Sequence, residues 1–228
     1  MNDWSIVGLS LEVASGATVL GFPFALAAAW ILARHDFKGK TIFDAVVNAP
    51  LVLPPVVVGY LLLVTFGSHA PVGAFLLRVF HLQLIFTTSG AIVAAAVMAL
   101  PLMVRGMRLS FDNIDGRLET AARTLGAGPF DVFLSITLPL ILPGIVSGCL
   151  LGFARALGEF GATITFASNI AGETRTLPLA IYTAINSAGG DAEVRHLVIL
   201  SLILAIAAIG LAGVFEKRVR ILVGQRRA

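Results

Sequence analysis

Two residues of the chain carry charge where charge is costly. Arg155 and Glu159 stand four apart at the end of a long apolar run, so a helix places them on one face. Ionisable groups inside a bilayer line a polar cavity or pair with one another. Two readings follow: Arg155 is a contact for a passing anion, or the two groups neutralise each other, with Arg before Glu in the less favourable helical order. Just beyond, Thr163, Thr165, Ser168 and Asn169 present hydroxyls and an amide. These suit either a brief hydrogen-bonded hold on a passing polar solute or the capping and packing of a broken helix. Nothing in the sequence points to covalent chemistry. It contains no Ser–His dyad, His-Glu-x-x-His or paired in-span aspartates, and no Gly-x-x-x-x-Gly-Lys-Ser/Thr phosphate loop. His35, His69, His81 and His196 are scattered and take no ligand role, with His196 beside Arg195 marking a water interface. The single Cys149 lies in an apolar run, which excludes an intramolecular disulfide and a cysteine-cluster metal site. The chain reads as a non-enzyme that binds no cofactor itself.

The elements that must hold these residues are set by composition. Hydrophobic residues make up 57% of the chain and charged ones only 13%, and mean hydropathy is +0.94. Soluble domains carry about a quarter charged residues, so lipid is the solvent here. Five segments are long and apolar enough to span: 9–33, 43–66, 89–109, 138–157 and 197–215. Backbone groups in lipid must be satisfied within the segment, so these are helices and the fold is all-α and polytopic. Arg34, Lys38, Lys40, Arg105, Arg108, Arg117, Arg123, Lys217, Arg218, Arg220, Arg226 and Arg227 fall on one side. The other side has only Arg78, Arg175 and Arg195. The positive-inside rule puts the first set in the cytoplasm, with the N-terminus outside and the C-terminus inside. This spread also accounts for the pI of about 9.5 without a nucleic-acid partner. Asp3 and Glu12 precede the first basic residue, so span one is expected to be retained rather than cleaved as a signal. One domain, 9–215, is followed by a basic tail, 216–228, too short to fold alone.

Residues 112–137 form a loop on the basic side whose text reads helix, tight turn, helix. Asp115 is placed as an N-cap, Glu119 and Arg123 stand at i, i+4 in the favourable order, and Gly126 or Gly128 supplies a left-handed cap. Pro129 then suits the first turn of the next helix, which gathers Phe130, Phe133 and Leu134 on one face against the membrane or the span ends. Ala121 and Ala122 leave a low-relief surface for another protein. The segment resembles the EAA loop of ABC import permeases: Glu-Ala-Ala, three residues, Gly, nine residues, Ile-x-Leu-Pro. Ala121, Ala122, Gly126, Ile136, Leu138 and Pro139 fall in register, whereas Thr120 stands at the usual Glu and Glu119 lies one place earlier. The resemblance implies a type I ABC importer permease fold and a coupling helix that docks on a separate ATPase, which hydrolyses ATP-Mg.

Two further segments refine the resemblance. The second span contains Pro50, Pro54, Pro55, Gly59 and Tyr60, whose prolines kink it and free carbonyls toward a cavity or neighbours. The fourth is followed by Gly158-Glu-Phe-Gly161-Ala-Thr-Ile-Thr165 and by Gly172-Glu-Thr-Arg-Thr176. Both are similar to the molybdate-type branch of these permeases over essentially the whole chain; sulfate and thiosulfate permeases share the Gly-Glu-Phe-Gly text. This implies molybdate or tungstate import in a bacterial or archaeal plasma membrane. The implied partners are a second copy of the chain, two ABC ATPase subunits, an extracytoplasmic molybdate-binding protein and the lipid bilayer. The path is assigned to Pro54, Pro55, Tyr60, Arg155, Glu159, Thr163, Thr165 and Asn169, with core packing the alternative for Tyr60 and the prolines. Gly144, Gly148 and Gly152, with Ala156, form a small-residue ladder for close helix crossing, within the chain or at a subunit interface. An ion-coupled secondary transporter would call for paired repeats and several intramembrane acids, where only Glu159 is found.

Overall fold

The computed structural model describes residues 3–222, and they form an all-helical chain. Helix α1, Asp3–Arg34, spans about 48 Å at 1.5 Å per residue, more than a hydrocarbon core of about 30 Å. It therefore projects beyond the apolar slab or tilts within it. Asp3 and Arg34 mark opposite ends of the bundle, and the Arg34 end is the basic one. Lys40 Nζ donates to Asp36 Oδ1 at 2.8 Å in the loop that follows. That hydrogen bond, then the ammonium charge, holds the Asp36 carboxyl below its usual range.

The second expected span is not one helix. Helices α2, Lys40–Val52, and α3, Pro55–Phe66, meet at 114°, and only the bent pair together is long enough to cross. Two successive prolines explain the angle. Neither Pro54 nor Pro55 has an N–H to continue the ladder, and each forces the residue before it out of the helical region. Leu53 sits at φ −69, ψ 141 and Pro54 at φ −54, ψ 132. By contrast, the single prolines Pro23, Pro50, Pro101 and Pro143 stay inside helices. A short helix α4, Pro71–Phe80, lies where a loop is expected. Its exposed Val72, Phe75, Val79 and Phe80 are apolar.

Helix α5, Thr88–Asp112, begins at an N-cap in which Thr87 Oγ1 accepts from the Gly90 N–H at 3.2 Å. The hairpin α6, Gly116–Thr124, and α7, Pro129–Val132, leads through a π-type turn, Phe133–Thr137, into α8, Leu138–Leu157. The helices α9, Gly161–Phe166, and α10, Leu177–Ile185, follow, and α11, Asp191–Leu222, closes the described chain. The last expected span, 197–215, is thus part of a longer helix that takes in the start of the basic tail. Arg226 and Arg227 lie outside the described residues.

The core is a contact between small residues. Ala14, Ala17, Ala25, Ala28 and Ala29 of α1 face Ala91, Ala95, Ala96 and Ala99 of α5 in one buried cluster. The glycine ladder of α8 packs against α5 of the same chain. A Cβ on Gly106 would stand 2.8 Å from Gly148 Cα, and one on Gly148 would stand 2.8 Å from the Met103 carbonyl oxygen. The two backbones therefore touch, which no larger residue permits. Gly148→Val should lower the thermal unfolding midpoint of the detergent-solubilised chain, at a cost of about 1–3 kcal/mol or more from overpacking. Gly8→Ala, whose added Cβ meets nothing within 4 Å, should leave that midpoint unchanged.

Candidate coupling site and translocation path

The hairpin on the basic end is built as its residues demand. Asp115 Oδ1 accepts from the Arg117 N–H at 2.9 Å and caps α6. Gly126 takes the left-handed position at φ +93, whereas Gly128 at φ −69 does not. Pro129 opens the next helix. Leu125 at the turn is 89% exposed and Phe130 is 71% exposed, so the hairpin offers apolar side chains with nothing over them among the described residues. Ala121 is exposed and Ala122 half-buried beside them, as low relief requires, while Ile136, Leu138 and Pro139 are half-buried where the hairpin joins α8.

Glu119 does not pair with Arg123. Its carboxylate turns inward and takes two hydrogen bonds from Arg34, Nη2 to Oε1 at 2.7 Å and Nη1 to Oε2 at 3.3 Å. Thr137 Oγ1 donates to the same Oε1 at 2.8 Å. One carboxylate thus ties the end of α1, the hairpin helix α6 and the π-type turn into α8. The i, i+4 pair was outcompeted because a bidentate guanidinium in a half-buried setting is a stronger partner than a solvated one. Sequence spacing does not show this contact, since Arg34 and Glu119 lie 85 positions apart.

A second polar network on the same end is likewise absent from the sequence reading. Asp44 and Asn48 of α2 meet Arg105, Arg108 and Asp112: Arg105 Nε donates to Asn48 Oδ1 at 2.9 Å, and Arg108 lies 3.3 Å from Asp44 and 3.6 Å from Asp112. Its signal was a pair of polar residues spaced by four in the otherwise apolar start of span two. The network pins α2 to α5.

At the α8–α9 junction the charged pair is closed. Arg155 Nη1 lies 2.7 Å from Glu159 Oε2, with the Glu159 side chain only 2% exposed. Glu159 Oε1 accepts the Ala162 N–H at 2.8 Å, which caps the first turn of α9. Glycines let α9 lie on α3: a Cβ on Gly161 would stand 2.7 Å from Pro55 Cβ, and one on Gly59 would stand 2.7 Å from the Ala162 carbonyl oxygen. The structure thereby brings Pro55, Gly59, Glu159 and the α9 threonines together. Thr163 is buried, and Thr165 Oγ1 donates to the Gly161 carbonyl at 2.8 Å. Asn169 accepts from Arg175 Nε at 2.9 Å and donates to Thr183 Oγ1 at 2.8 Å. Ser168, at φ +67, turns the chain there, and its carbonyl accepts from Thr174 Oγ1 at 3.2 Å. Within one chain these groups hold a broken helix together, and Pro54 and Tyr60 stand apart from them on the exposed face of α3, Tyr60 at 59% exposure.

Removing the Glu159 charge should undo the junction. Glu159→Gln leaves Arg155 with no partner and weakens the α9 cap, at about 3–5 kcal/mol for a broken buried pair. The double variant Arg155→Met/Glu159→Gln should recover much of the lost thermal stability. Equal losses in the single and double variants would show that the pair is not what holds the turn.

Residues 21–221 match the family model described as "Binding-protein-dependent transport system inner membrane component". The "Molybdenum transport system permease protein ModB" of Escherichia coli K12 is 53% identical over 207 residues, covering 91% of this chain and 90% of that protein. The protein of the same name from Haemophilus influenzae is 49% identical over 221 residues, covering 97% and 96%. A "Probable sulfate transport system permease protein cysT" of Prototheca wickerhamii is 32% identical over 213 residues, covering 92% and 83%. Among solved structures, a chain of the inward-facing MetNI methionine ABC transporter superposes with a TM-score of 0.72 at 18% identity, covering 96% of this chain and 99% of that one. A chain of a bacterial alginate ABC importer gives 0.75 at 17%, covering 96% and 80%. The bent α2–α3 pair, the braced hairpin and the ladder between α5 and α8 thus sit on the ABC importer permease fold, and the chain belongs to the binding-protein-dependent transport system inner membrane components.

Proposed function

We propose that the chain is the permease subunit of an ATP-driven, binding-protein-dependent importer that carries molybdate, and tungstate with it, into the cytoplasm. The observation that carries the permease role is the hairpin at 115–137. It exposes Leu125 and Phe130 while one carboxylate, Glu119, fastens it to both α1 and α8. A stiff, outward-facing lever is what a transport subunit needs if a separate ATPase is to move its helices as bodies. The molybdate reading is supported by the relatives of 53% and 49% identity that carry that name.

In this reading the basic end faces the cytoplasm, by the asymmetry of Lys and Arg. Two copies of the chain enclose the path, two ABC ATPase subunits dock on the two hairpins and consume ATP-Mg, and an extracytoplasmic binding protein delivers the oxyanion. The membrane is a bacterial inner or archaeal plasma membrane. The chain itself performs no catalysis and holds no cofactor. The exposed face of α3, with Tyr60, borders the path, and Arg155–Glu159 braces the junction beside it rather than offering a free positive charge.

Three measurements test the proposal. With Cys149 replaced by Ser, an impermeant thiol reagent should label Leu125→Cys only after the membrane is opened; labelling of intact cells overturns the orientation. In proteoliposomes containing the ATPase and the binding protein, Glu119→Gln should reduce binding-protein-stimulated ATP hydrolysis at least ten-fold. That corresponds to losing about 1.5–3 kcal/mol of charged hydrogen bonding at the lever. Hydrolysis by the isolated ATPase should be unaffected, and stimulation equal to the unmodified complex would sink the lever role. Uptake should be competed by molybdate and tungstate, and equal or stronger competition by sulfate overturns the substrate assignment.

A further inference from the structure

Between α1 and the hairpin lies a cavity of about 940 Å³, whose lining takes in the Arg34–Glu119 brace and Phe130 at one end and a stretch of α1 that the transport reading does not use at the other. Its α1 wall runs from Phe22 past Ala27 and Trp30 to Arg34, and its other wall is formed by Arg123 and Phe130 of the hairpin with neighbouring helix residues. Arg34 lies twelve positions after Phe22, which is about 18 Å along a helix and close to the reach of an acyl chain into one leaflet. The trough is apolar along that length. Trp30, 44% exposed, stands at its charged end, where indoles sit at a membrane interface.

The charged end is electropositive. Arg34 is neutralised by Glu119, but Arg123 makes no ion pair among the described residues, and both line the cavity. Two guanidiniums against one carboxylate leave one positive charge at the mouth of an apolar groove. A second copy of the chain or a soluble metabolite matches only one half of this surface. An amphiphile with a negative head matches both halves.

We propose that this cleft is a binding site for an anionic phospholipid of the cytoplasmic leaflet, with one acyl chain along the Phe22–Trp30 wall and its phosphate against Arg123 beside the Arg34–Glu119 pair. The lipid would fill the gap between span one and the coupling lever and stiffen their joint. The leaflet assignment rests on the orientation proposed above, which the Leu125→Cys labelling tests without reference to lipid.

Lipid retention provides the test. The permease–ATPase complex is exchanged into phosphatidylcholine nanodiscs with or without phosphatidylglycerol, and the lipid kept after repurification is quantified by mass spectrometry. Phosphatidylglycerol should be retained over phosphatidylcholine. Arg123→Gln should lower that retention about five-fold, the effect of one basic residue near an anionic surface. Ala27→Trp should block the groove and abolish retention, whereas Lys38→Gln, a basic residue of the same end outside the cavity, should change nothing. Gel filtration and ATPase association report that each variant is folded. Equal retention of the two lipids, or unchanged retention in both Arg123→Gln and Ala27→Trp, overturns the proposal. So does displacement of the lipid by inorganic phosphate alone, or a disulfide cross-link of Ala27→Cys to a second copy or to the ATPase. Loss of lipid specificity with Leu125→Cys still labelled from the inside would refute the lipid site and leave the importer reading intact.

Discussion

Helices in lipid gain almost nothing by hiding apolar side chains from an apolar solvent, so this bundle depends on how closely its backbones can approach. Gly106 and Gly148 bring α5 and α8 into direct main-chain contact, and the alanine face of α1 closes on α5 in the same way. Dispersion between close-packed backbones replaces the water-driven term that holds soluble cores. The exposed outer faces, rich in Leu, Ile and Phe, are left for lipid or for partners. The other features, the bent helix pair, the short helix α9 and the hairpin, are attachments to this three-helix frame.

Each attachment is fixed by a polar brace where the frame ends. Glu119 ties the hairpin to α1 and α8, Asp44 and Asn48 tie α2 to α5, and Glu159 with Arg155 holds the turn from α8 into α9. Such braces need charged or amide groups at the margins of a low-dielectric region, where a hydrogen bond to a charge is strong and an unpaired one is costly. They also make the frame a body that can move as one. A hairpin attached by a single flexible residue would move independently of the frame, whereas a carboxylate shared by three elements holds it to α1 and α8.

The positions at which spacing misled have a common cause. Glu119 and Arg123 had the right separation for a helical pair, yet Arg34 and Thr137 claimed the carboxylate from across the fold. The glycine ladder pointed to a close crossing but not to its partner, which proved to be α5 of the same chain. The prolines of span two announced a kink, and the fold made it a 114° break because two of them are adjacent. Thr165 and Asn169 could be read two ways, and the contacts they make within the chain, to the Gly161 carbonyl, Arg175 and Thr183, are those of the capping and packing alternative.

Composition, charge asymmetry and the run from Ala121 to Pro139 were enough on their own to indicate an all-helical membrane chain with a helical hairpin at its basic end. These properties are local: hydropathy over twenty residues, the positive-inside bias, the left-handed glycine at Gly126 and the proline at Pro129 need no distant partner. The tertiary structure alone decided which charge meets which, that the ladder packs inside the chain, that α9 lies on α3, and that a cleft with an electropositive mouth opens beside α1. Those are relations between residues far apart in sequence, set by helix crossings that a one-dimensional period cannot encode.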